Sequence, residues 1–482
     1  MELQFNQRNC QYLHRQVWDV QNLEQTQEVR LSDGMPDLGK ILCAWGQCVL
    51  RSKEWRNDTA QVSGGVMAWV LYAPEDGAEP QCVEVWLPFQ GKWNLIDSHR
   101  EGTIRADACL RALDARTLSA RKIMVRASVG LLGEALESVE TAIYTPGELP
   151  EGVQVLRKHY PAVLPTEAGE KLFTWEEEIA LHGDAPKKLL SCRVHPEITE
   201  RNVVGGRVVF RGNCRVHITY MTQSGRIFGQ KAEIPMAQYA DLDRDYDKEA
   251  TACVMMAVSS LEPELKDNSL ALKCGMIAQY VVYHRQMVEV AEDAYSLYGK
   301  VNPAVQELQL PMVLDRLEQV LPATPPDLAE AAQTVDICFY PDQPSLFREG
   351  DQLQGQMTGF WQVLYYDQDG NLQCGTEGYR EGWTMPMGEK GTAYVFADCL
   401  TPQPRLQILS VAGETVPMIT GLQVGDRKEP DPARPSLILR RPGGHSLWDL
   451  AKTTGSTVED ICKANQLTAE PEPQQILLIP VR

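Results

Sequence analysis

Short alternating runs of apolar and polar residues recur along most of the chain and predict β-strands. One face of the segment 269–278 is apolar and consists of Leu270, Leu272, Cys274 and Met276. This two-residue period is that of a strand with one buried face. Residues 215–220 alternate in the same way, which places His217 on the polar face that we expect to meet solvent. The pattern therefore predicts a mainly β protein.

A longer pattern occurs three times: a glycine, a strand that ends in tyrosine, a turn, a second strand and an apolar–Pro–Phe/Met exit. The glycines are Gly64, Gly212 and Gly359, the tyrosines are Tyr72, Tyr220 and Tyr365, and the exit prolines are Pro88, Pro235 and Pro386. Proline lacks the backbone donor of the strand ladder, so we expect each proline to end its strand. Further strands are predicted at residues 107–110, 251–254 and 392–395, and then at residues 123–129, 269–278 and 405–411. Three repeated, β-sandwich-like domains follow from this repetition.

Proline-rich segments separate the three copies. Four prolines in residues 145–166 are expected to break regular structure, and residues 302–333 are predicted to hold a helix at 312–320. Residues 425–435 form a charged, proline-rich tether that would hold the last module off the β body. Residues 1–145 are predicted to hold an N-terminal segment and the first β domain, and residues 146–301 a linker and the second β domain. A helical and Pro-rich connector at 302–333 precedes the third β domain at 334–424. A linker at 425–435 and a final module at 436–482 complete the predicted divisions.

The hydrophobic period changes in the final module. A strand at residues 437–439 precedes a loop, and Ser446 is placed to cap a first helix that ends near Gly455. Thr457 and Asp460 have the spacing of a capping box at the start of a second helix. A closing strand at residues 476–480 completes a small βααβ unit.

Composition limits the classes of partner. The chain has 482 residues, with 46 Lys+Arg against 65 Asp+Glu, so its formal net charge is −19. Because nucleic acid and anionic membranes repel such a surface, neither is expected as a general partner. The longest nearly apolar run, residues 64–73, is about half of a ~20-residue membrane span, and the N-terminus has no signal-peptide pattern. We therefore expect a soluble protein without a direct membrane span.

The cysteines indicate a reducing compartment. Their number is thirteen, which is odd, and no C-x-x-C occurs. These two facts disfavour a disulfide framework and a zinc ribbon. We therefore interpret the cysteines as reduced thiols that serve as small buried hydrophobic residues.

No pattern predicts an enzyme. Nucleophile-elbow, phosphate-loop, dinucleotide-binding and H-E-x-x-H motifs are absent, and the eight histidines have no ligand spacing. The acidic residues 241–247 lack the central glycine and closing glutamate of a calcium loop, so we expect a solvated loop. Trp69 and Trp361 lie in repeat strands and are interpreted as core residues. No catalytic residue, cofactor or metal site is predicted.

The final module resembles a LysM domain over its whole length. The loop Gly444-His445-Ser446-Leu447-Trp448, the asparagine Asn465 and the exit at residues 474–480 follow the order of that family, with His445 and Gln474 in place of its usual Asp and Gly. LysM domains commonly bind N-acetylglucosamine polymers between two loops. The resemblance implies a groove for glycan or protein lined by Gly444, His445, Ser446, Leu447, Asn465, Gln466 and Leu467. Trp448 is expected to pack beneath the two helices.

The rest of the chain resembles the SPOCS-type domains of clostridial spore-coat proteins. Residues 26–31, the Gly-to-Tyr strands and the exit Glu292-Asp293-Ala294-Tyr295-Ser296 match that family's segments, and residues 143–145 are a weaker counterpart of the exit. With the LysM-like end, the architecture is similar to the SipL-like family of spore-coat morphogenetic proteins. The resemblance implies a non-enzymatic scaffold in the mother-cell cytoplasm at the forespore surface, with a SpoIVA-type coat ATPase and other coat proteins as partners. The alternative is a peptidoglycan-binding LysM protein.

Overall fold

The computed structural model describes residues 1–96, 101–321, 323–386, 392–400, 403–427 and 435–481. The fold is mainly β, as the alternation predicts, and every strand pair is antiparallel. The first strands are β1 (Glu2–Gln4), β2 (Asn6–Arg30), β3 (Leu38–Arg56), β4 (Thr59–Pro74), β5 (Gln81–Asn94), β6 (Thr103–Ser119) and β7 (Lys122–Thr145).

Two further sets of strands follow, and then a small module. The second set is β8 (Val153–Ala180), β9 (Pro186–Thr222), β10 (Ile227–Tyr246), β11 (Ala250–Leu265) and β12 (Ser269–Ser296). The third is β13 (Val301–Val320), β14 (Ala331–Pro341), β15 (Ser345–Glu349), β16 (Gln352–Asp367), β17 (Leu372–Pro386), β18 (Thr392–Leu400) and β19 (Gln403–Val424). The C-terminal module is β20 (Leu437–Arg440), α1 (Leu447–Thr454), α2 (Val458–Asn465) and β21 (Leu477–Pro480).

One arrangement of strands occurs three times, in what we call the first unit (β2–β7), second unit (β8–β12) and third unit (β13–β19). One sheet of each unit pairs a long strand with the last hairpin, in the orders β2-β7-β6, β8-β12-β11 and β13-β19-β18. The other sheet is β3-β4-β5 in the first unit, and β14 and β15 with β16 and β17 in the third. In the second unit this other sheet is formed by β9 and β10. The long strand β9 folds back on itself near Gly205, whose φ is +57°.

The three repeated glycines share one structural role. Gly64, Gly212 and Gly359 each lie against a strand segment from earlier in the chain, where a side chain has no room: β3 for Gly64, the first half of β9 for Gly212 and β14 for Gly359. A Cβ at these positions would meet the carbonyl oxygens of Val49 at 2.3 Å, Glu197 at 1.7 Å and Tyr340 at 2.5 Å, respectively. Glycine therefore allows the close approach of two extended segments in every unit.

The three units form one body, since each contacts the other two. A hydrophobic cluster takes its members from all three units, namely Ile143, Ala162, Leu164, Val288, Val290, Leu308, Val416 and Met418. The start of the chain also joins the first and third units, because β1 pairs with β19 and the Met1 amino group donates to the Val424 carbonyl over 2.7 Å.

The helix predicted at residues 312–320 is wrong. These residues belong to the strand β13 (Val301–Val320), which pairs with β19 along its length. The strand takes the place that β2 and β8 occupy in the other units. Pairing with a strand about a hundred residues downstream overrides the local helical pattern, as tertiary context commonly does.

The prolines break fewer strands than expected. The strand β8 continues through Pro161 and Pro165, and Pro88 and Pro235 lie inside β5 and β10. All three strands are at the edges of their sheets, where proline is tolerated because one side of the strand has no ladder partner. The third exit proline, Pro386, is the last described residue of β17, and residues 387–391 lie outside the described residues.

Two further predictions for the second unit are wrong. His217 is 3% exposed, because the polar face of its strand packs against Asp336 of the third unit, a contact that is not visible in the sequence. The acidic residues 241–246 do not form a loop but belong to β10, which extends to Tyr246 and pairs with β9, although most of them are exposed as expected.

The tryptophan interpretation is confirmed, and the cysteine interpretation agrees with the burial of most of these residues. Eight of the thirteen cysteines are buried, four are half-buried and Cys374 is exposed. Trp69 and Trp361 are 6% and 5% exposed, which makes them core residues of the first and third units.

Candidate functional site

The C-terminal module begins its helices where the sequence predicts. The Ser446 hydroxyl accepts a hydrogen bond from the Asp449 amide over 3.2 Å, and the Asp449 carboxylate accepts one from the Ser446 amide, which completes a capping box. Gly455 ends α1 with φ +68°. The Thr457 hydroxyl caps α2 by accepting from the Asp460 amide over 3.0 Å. The Ser446 cap fixes the first of the two loops in which the predicted groove residues lie.

The first of these loops offers three exposed residues, Gly444, His445 and Ser446. Leu447 is different, because its side chain is buried in the module core. Its amide donates to Oε2 of Glu470 over 3.4 Å, and Glu470 follows α2. The structure thus brings the loops before α1 and after α2 together. No pattern in the sequence points to Glu470, because its role depends on a contact between residues 23 positions apart.

The second loop contributes mainly structural residues. The Asn465 side chain donates to the carbonyls of Ile461 and Leu478 over 2.8 and 2.6 Å, and accepts from the Leu478 amide over 2.7 Å. Asn465 therefore ties α2 to β21 and has little capacity left for a ligand. Leu467 is half-buried against the module core. Gln466 is exposed and ends α2 with φ +54°.

The module packs against the exit segment of the second unit. The Trp448 indole N–H donates to Oδ2 of Asp293 over 2.8 Å, and Nζ of Lys452 lies 2.7 Å from the same oxygen. The Tyr295 hydroxyl donates to the Ser456 carbonyl over 2.8 Å, and the Tyr295 and Trp448 rings meet edge to face at 4.8 Å. The expectation that the tether holds the module off the β body is therefore wrong. Residues 428–434 of that tether lie outside the described residues.

Electrostatics favour this contact at neutral pH. Burial raises the pKa of Asp293, but the hydrogen bonds from Lys452 and Trp448 outweigh it and hold that pKa below its ordinary value. Burial also raises the pKa of Tyr295 to about 12. At neutral pH Asp293 is thus an anionic acceptor and Tyr295 a protonated donor. Trp448 packs on Tyr295 as well as on the module, which the sequence did not predict.

A second group of polar residues is buried where the three units meet. Gln279 of the second unit both donates to and accepts from the backbone of Ala106 in the first, over 2.8 and 2.9 Å. Arg193 of the second unit is ion-paired with Asp336 of the third, and both side chains are buried. Burial raises the pKa of Asp336, but the Arg193 charge outweighs it and holds that pKa well below its ordinary value. These contacts satisfy polar groups of one unit with partners from another.

Two small cavities lie in the same region. Their volumes are about 50 and 70 Å³, and both are lined by His195 and Asp398. Burial and the nearby Asp398 charge raise the pKa of Asp107, which lines the smaller cavity, to about 7. The volumes leave room for little more than water, so we regard this region as an interface between units.

The described ranges contain no cluster of three or more His, Cys, Asp or Glu residues that could hold a metal ion. No helix in the same ranges is long and apolar enough to span a bilayer.

Comparison with known proteins relates the second unit to a family. A family model described as SipL, SPOCS domain, matches residues 186–266. The match begins at the first residue of β9 and ends one residue beyond β11. No curated protein and no solved structure gives a significant match. The chain thus contains a SipL SPOCS domain at residues 186–266.

Proposed function

We propose that the protein is a non-enzymatic scaffold for assembly of the spore coat. The observation that carries this proposal is the SipL SPOCS domain at residues 186–266, which suggests a role in spore-coat morphogenesis. The SipL family consists of non-enzymatic coat morphogenetic proteins and implies coat proteins as partners.

The first and third units are proposed to be SPOCS domains too. Their strand order follows that of the matched second unit. Gly64 and Gly359 each lie as close to the backbone of an earlier extended segment as Gly212 does within the matched residues. A glycine requirement at equivalent places supports descent of the three units from one ancestor.

The C-terminal module is proposed to be a LysM domain that binds a SpoIVA-type coat ATPase. Its βααβ order and its two adjacent loops support this. With Trp448 packed against the second unit, Gly444, His445, Ser446 and Gln466 remain exposed. These residues are the proposed contact surface. The scaffold would act in the mother-cell cytoplasm, at the outer surface of the forespore.

Co-purification of the full chain with the coat ATPase tests this surface. The double variant His445→Ala, Gln466→Ala is expected to lower recovery of the ATPase at least about tenfold, the effect of losing ~1.4 kcal/mol of binding free energy. Glu459→Gln, on an exposed part of α2, is the matched control and should leave recovery unchanged. Equal recovery of the ATPase with the unchanged chain, the double variant and the control variant would contradict the proposed surface.

Glycan binding is the second candidate function, since the same two adjacent loops are those that hold N-acetylglucosamine polymers in LysM domains. Titration of the full chain with chitin oligomers distinguishes glycan binding from binding of the coat ATPase. A saturable response that the His445→Ala, Gln466→Ala variant loses would favour the glycan, whereas ATPase binding without any glycan response would favour the scaffold.

A further inference from the structure

Two thiols from different units lie side by side in the interface between the first and third units. Cys43 is on β3 and Cys374 is on β17, and their sulfur atoms are 3.5 Å apart. The side-chain amide of Gln362 donates to Cys43 Sγ over 3.0 Å and to the Ala44 carbonyl over 2.8 Å. The third unit thus holds the first in a register that keeps the two sulfurs adjacent.

The two thiols differ in exposure and acidity. Cys374 is exposed and Cys43 is 4% exposed. Burial raises the pKa of Cys43 well above its ordinary value. The pKa of Cys374 is lowered instead, because its side-chain hydrogen bond with Cys43 outweighs the effect of burial. Because the thiolate is the reactive form, Cys374 is the better nucleophile and the one that solutes can reach.

We propose that Cys43 and Cys374 form an oxidation site that hydrogen peroxide converts into a disulfide between the first and third units. The Cys374 thiolate attacks one peroxide oxygen, the O–O bond breaks, and the departing hydroxide takes up a proton to leave as water. The product is a sulfenic acid at Cys374. The Cys43 sulfur then attacks the sulfenic sulfur, and the hydroxyl leaves with the Cys43 proton as a second water. Two thiols and one peroxide give one disulfide and two waters.

Geometry favours this product over further oxidation. A disulfide has an S–S length of about 2.05 Å, so the two sulfurs, now 3.5 Å apart, must approach by only about 1.5 Å. The resolving thiol is already in contact with the sulfur that is oxidised first. The bond would join positions 331 residues apart in the chain. Such a cross-link restricts the unfolded state strongly and would lock the first unit to the third.

Peptide mapping of the full chain after mild peroxide treatment tests the proposal. The reduced protein is treated with about one equivalent of hydrogen peroxide, free thiols are blocked, and the protein is digested without reductant for mass spectrometry. A peptide pair linked through Cys43 and Cys374, lost on adding reductant, is expected. The Tm of the oxidised protein is expected to rise by several degrees and to return on reduction. Cys374 recovered mainly as sulfinic acid, or linked to a second copy of the chain, would overturn the proposal.

Two variants and a control make the assignment specific. Cys374→Ser changes an exposed residue and should fold normally, but it should show no Tm rise after peroxide treatment. Cys43→Ala removes the resolving thiol, so Cys374 should accumulate as sulfenic acid that a dimedone probe traps. Cys462→Ser changes a half-buried thiol of the C-terminal module and should behave as the unchanged chain does. A Tm rise that persists in Cys374→Ser would also contradict the proposed pair.

Discussion

The indole N–H of Trp448 donates a hydrogen bond to Asp293 over 2.8 Å, and this bond joins the C-terminal module to the second unit. Asp293 belongs to the segment 292–296, which ends β12 and resembles the exit segment of SPOCS-type domains. This segment is the surface on which the module packs. The position of the module decides which of its loops can meet a partner.

Loss of the indole should release the module from the second unit. In Trp448→Ala both the bond to Asp293 and the ring contact with Tyr295 disappear. Hydrogen–deuterium exchange is expected to increase in residues 292–297 and in α1, and small-angle scattering should show a larger radius of gyration. Tyr295→Phe removes one hydrogen bond, worth about 1 kcal/mol, and should have a smaller effect. Exchange in residues 292–297 that does not respond to Trp448→Ala would contradict the packing.

Asn465 is expected to stabilise the module and not to serve as a ligand-binding residue. The variant Asn465→Ala loses the three hydrogen bonds that join its side chain to the backbone of α2 and β21. It should lower the stability of the module by about 1–3 kcal/mol, as measured by urea denaturation monitored through exchange in α2. His445→Ala, at an exposed loop position, is the control and should unfold at the same urea concentration as the unchanged chain. Equal stability of both variants would show that the Asn465 bonds contribute little.

The repeated glycine can be tested in the matched SPOCS domain. At Gly212 a Cβ would lie 1.7 Å from the Glu197 carbonyl oxygen, so Gly212→Ala must displace a strand. We expect a loss of about 1–3 kcal/mol or insoluble protein. Gly378→Ala is the control, because no atom lies within 4 Å of a Cβ at that position. Thermal unfolding of the two variants should differ by several degrees, and indistinguishable curves would count against a required close approach.

The buried carboxyl of Asp107 should make stability depend on pH. Its folded-state pKa of about 7 lies above the ordinary value of 3.8, so between these values the folded protein holds a proton that the unfolded chain has released. The free energy of unfolding therefore falls as pH rises through this window and levels off above it. Asp107→Asn should reduce the fall measured by urea denaturation between about pH 5 and about pH 8. Parallel pH profiles of the two proteins would contradict the raised pKa.

Local signals in the sequence were sufficient for the C-terminal module and for most strands. The caps at Ser446 and Thr457 and the turn at Gly455 depend on residues within a few positions of each other. The repeated glycines likewise marked a real structural constraint. Such features involve short-range geometry, which residue spacing reports directly.

Features that depend on distant contacts could not be predicted. The strand β13 forms through pairing with β19, and His217 is buried by the third unit. The packing of Trp448 on Asp293 joins residues 155 positions apart. For the candidate site, spacing found the loops but not Glu470, and it could not show that Asn465 is occupied by backbone partners.

The most direct test of the proposed scaffold is the position of the protein in sporulating cells. The full chain carrying a fluorescent tag should form a shell around the forespore when coat assembly begins. In a strain without the coat ATPase the shell should be lost while the amount of protein is unchanged. A signal spread evenly through the mother cell in both strains would contradict a role in spore-coat assembly.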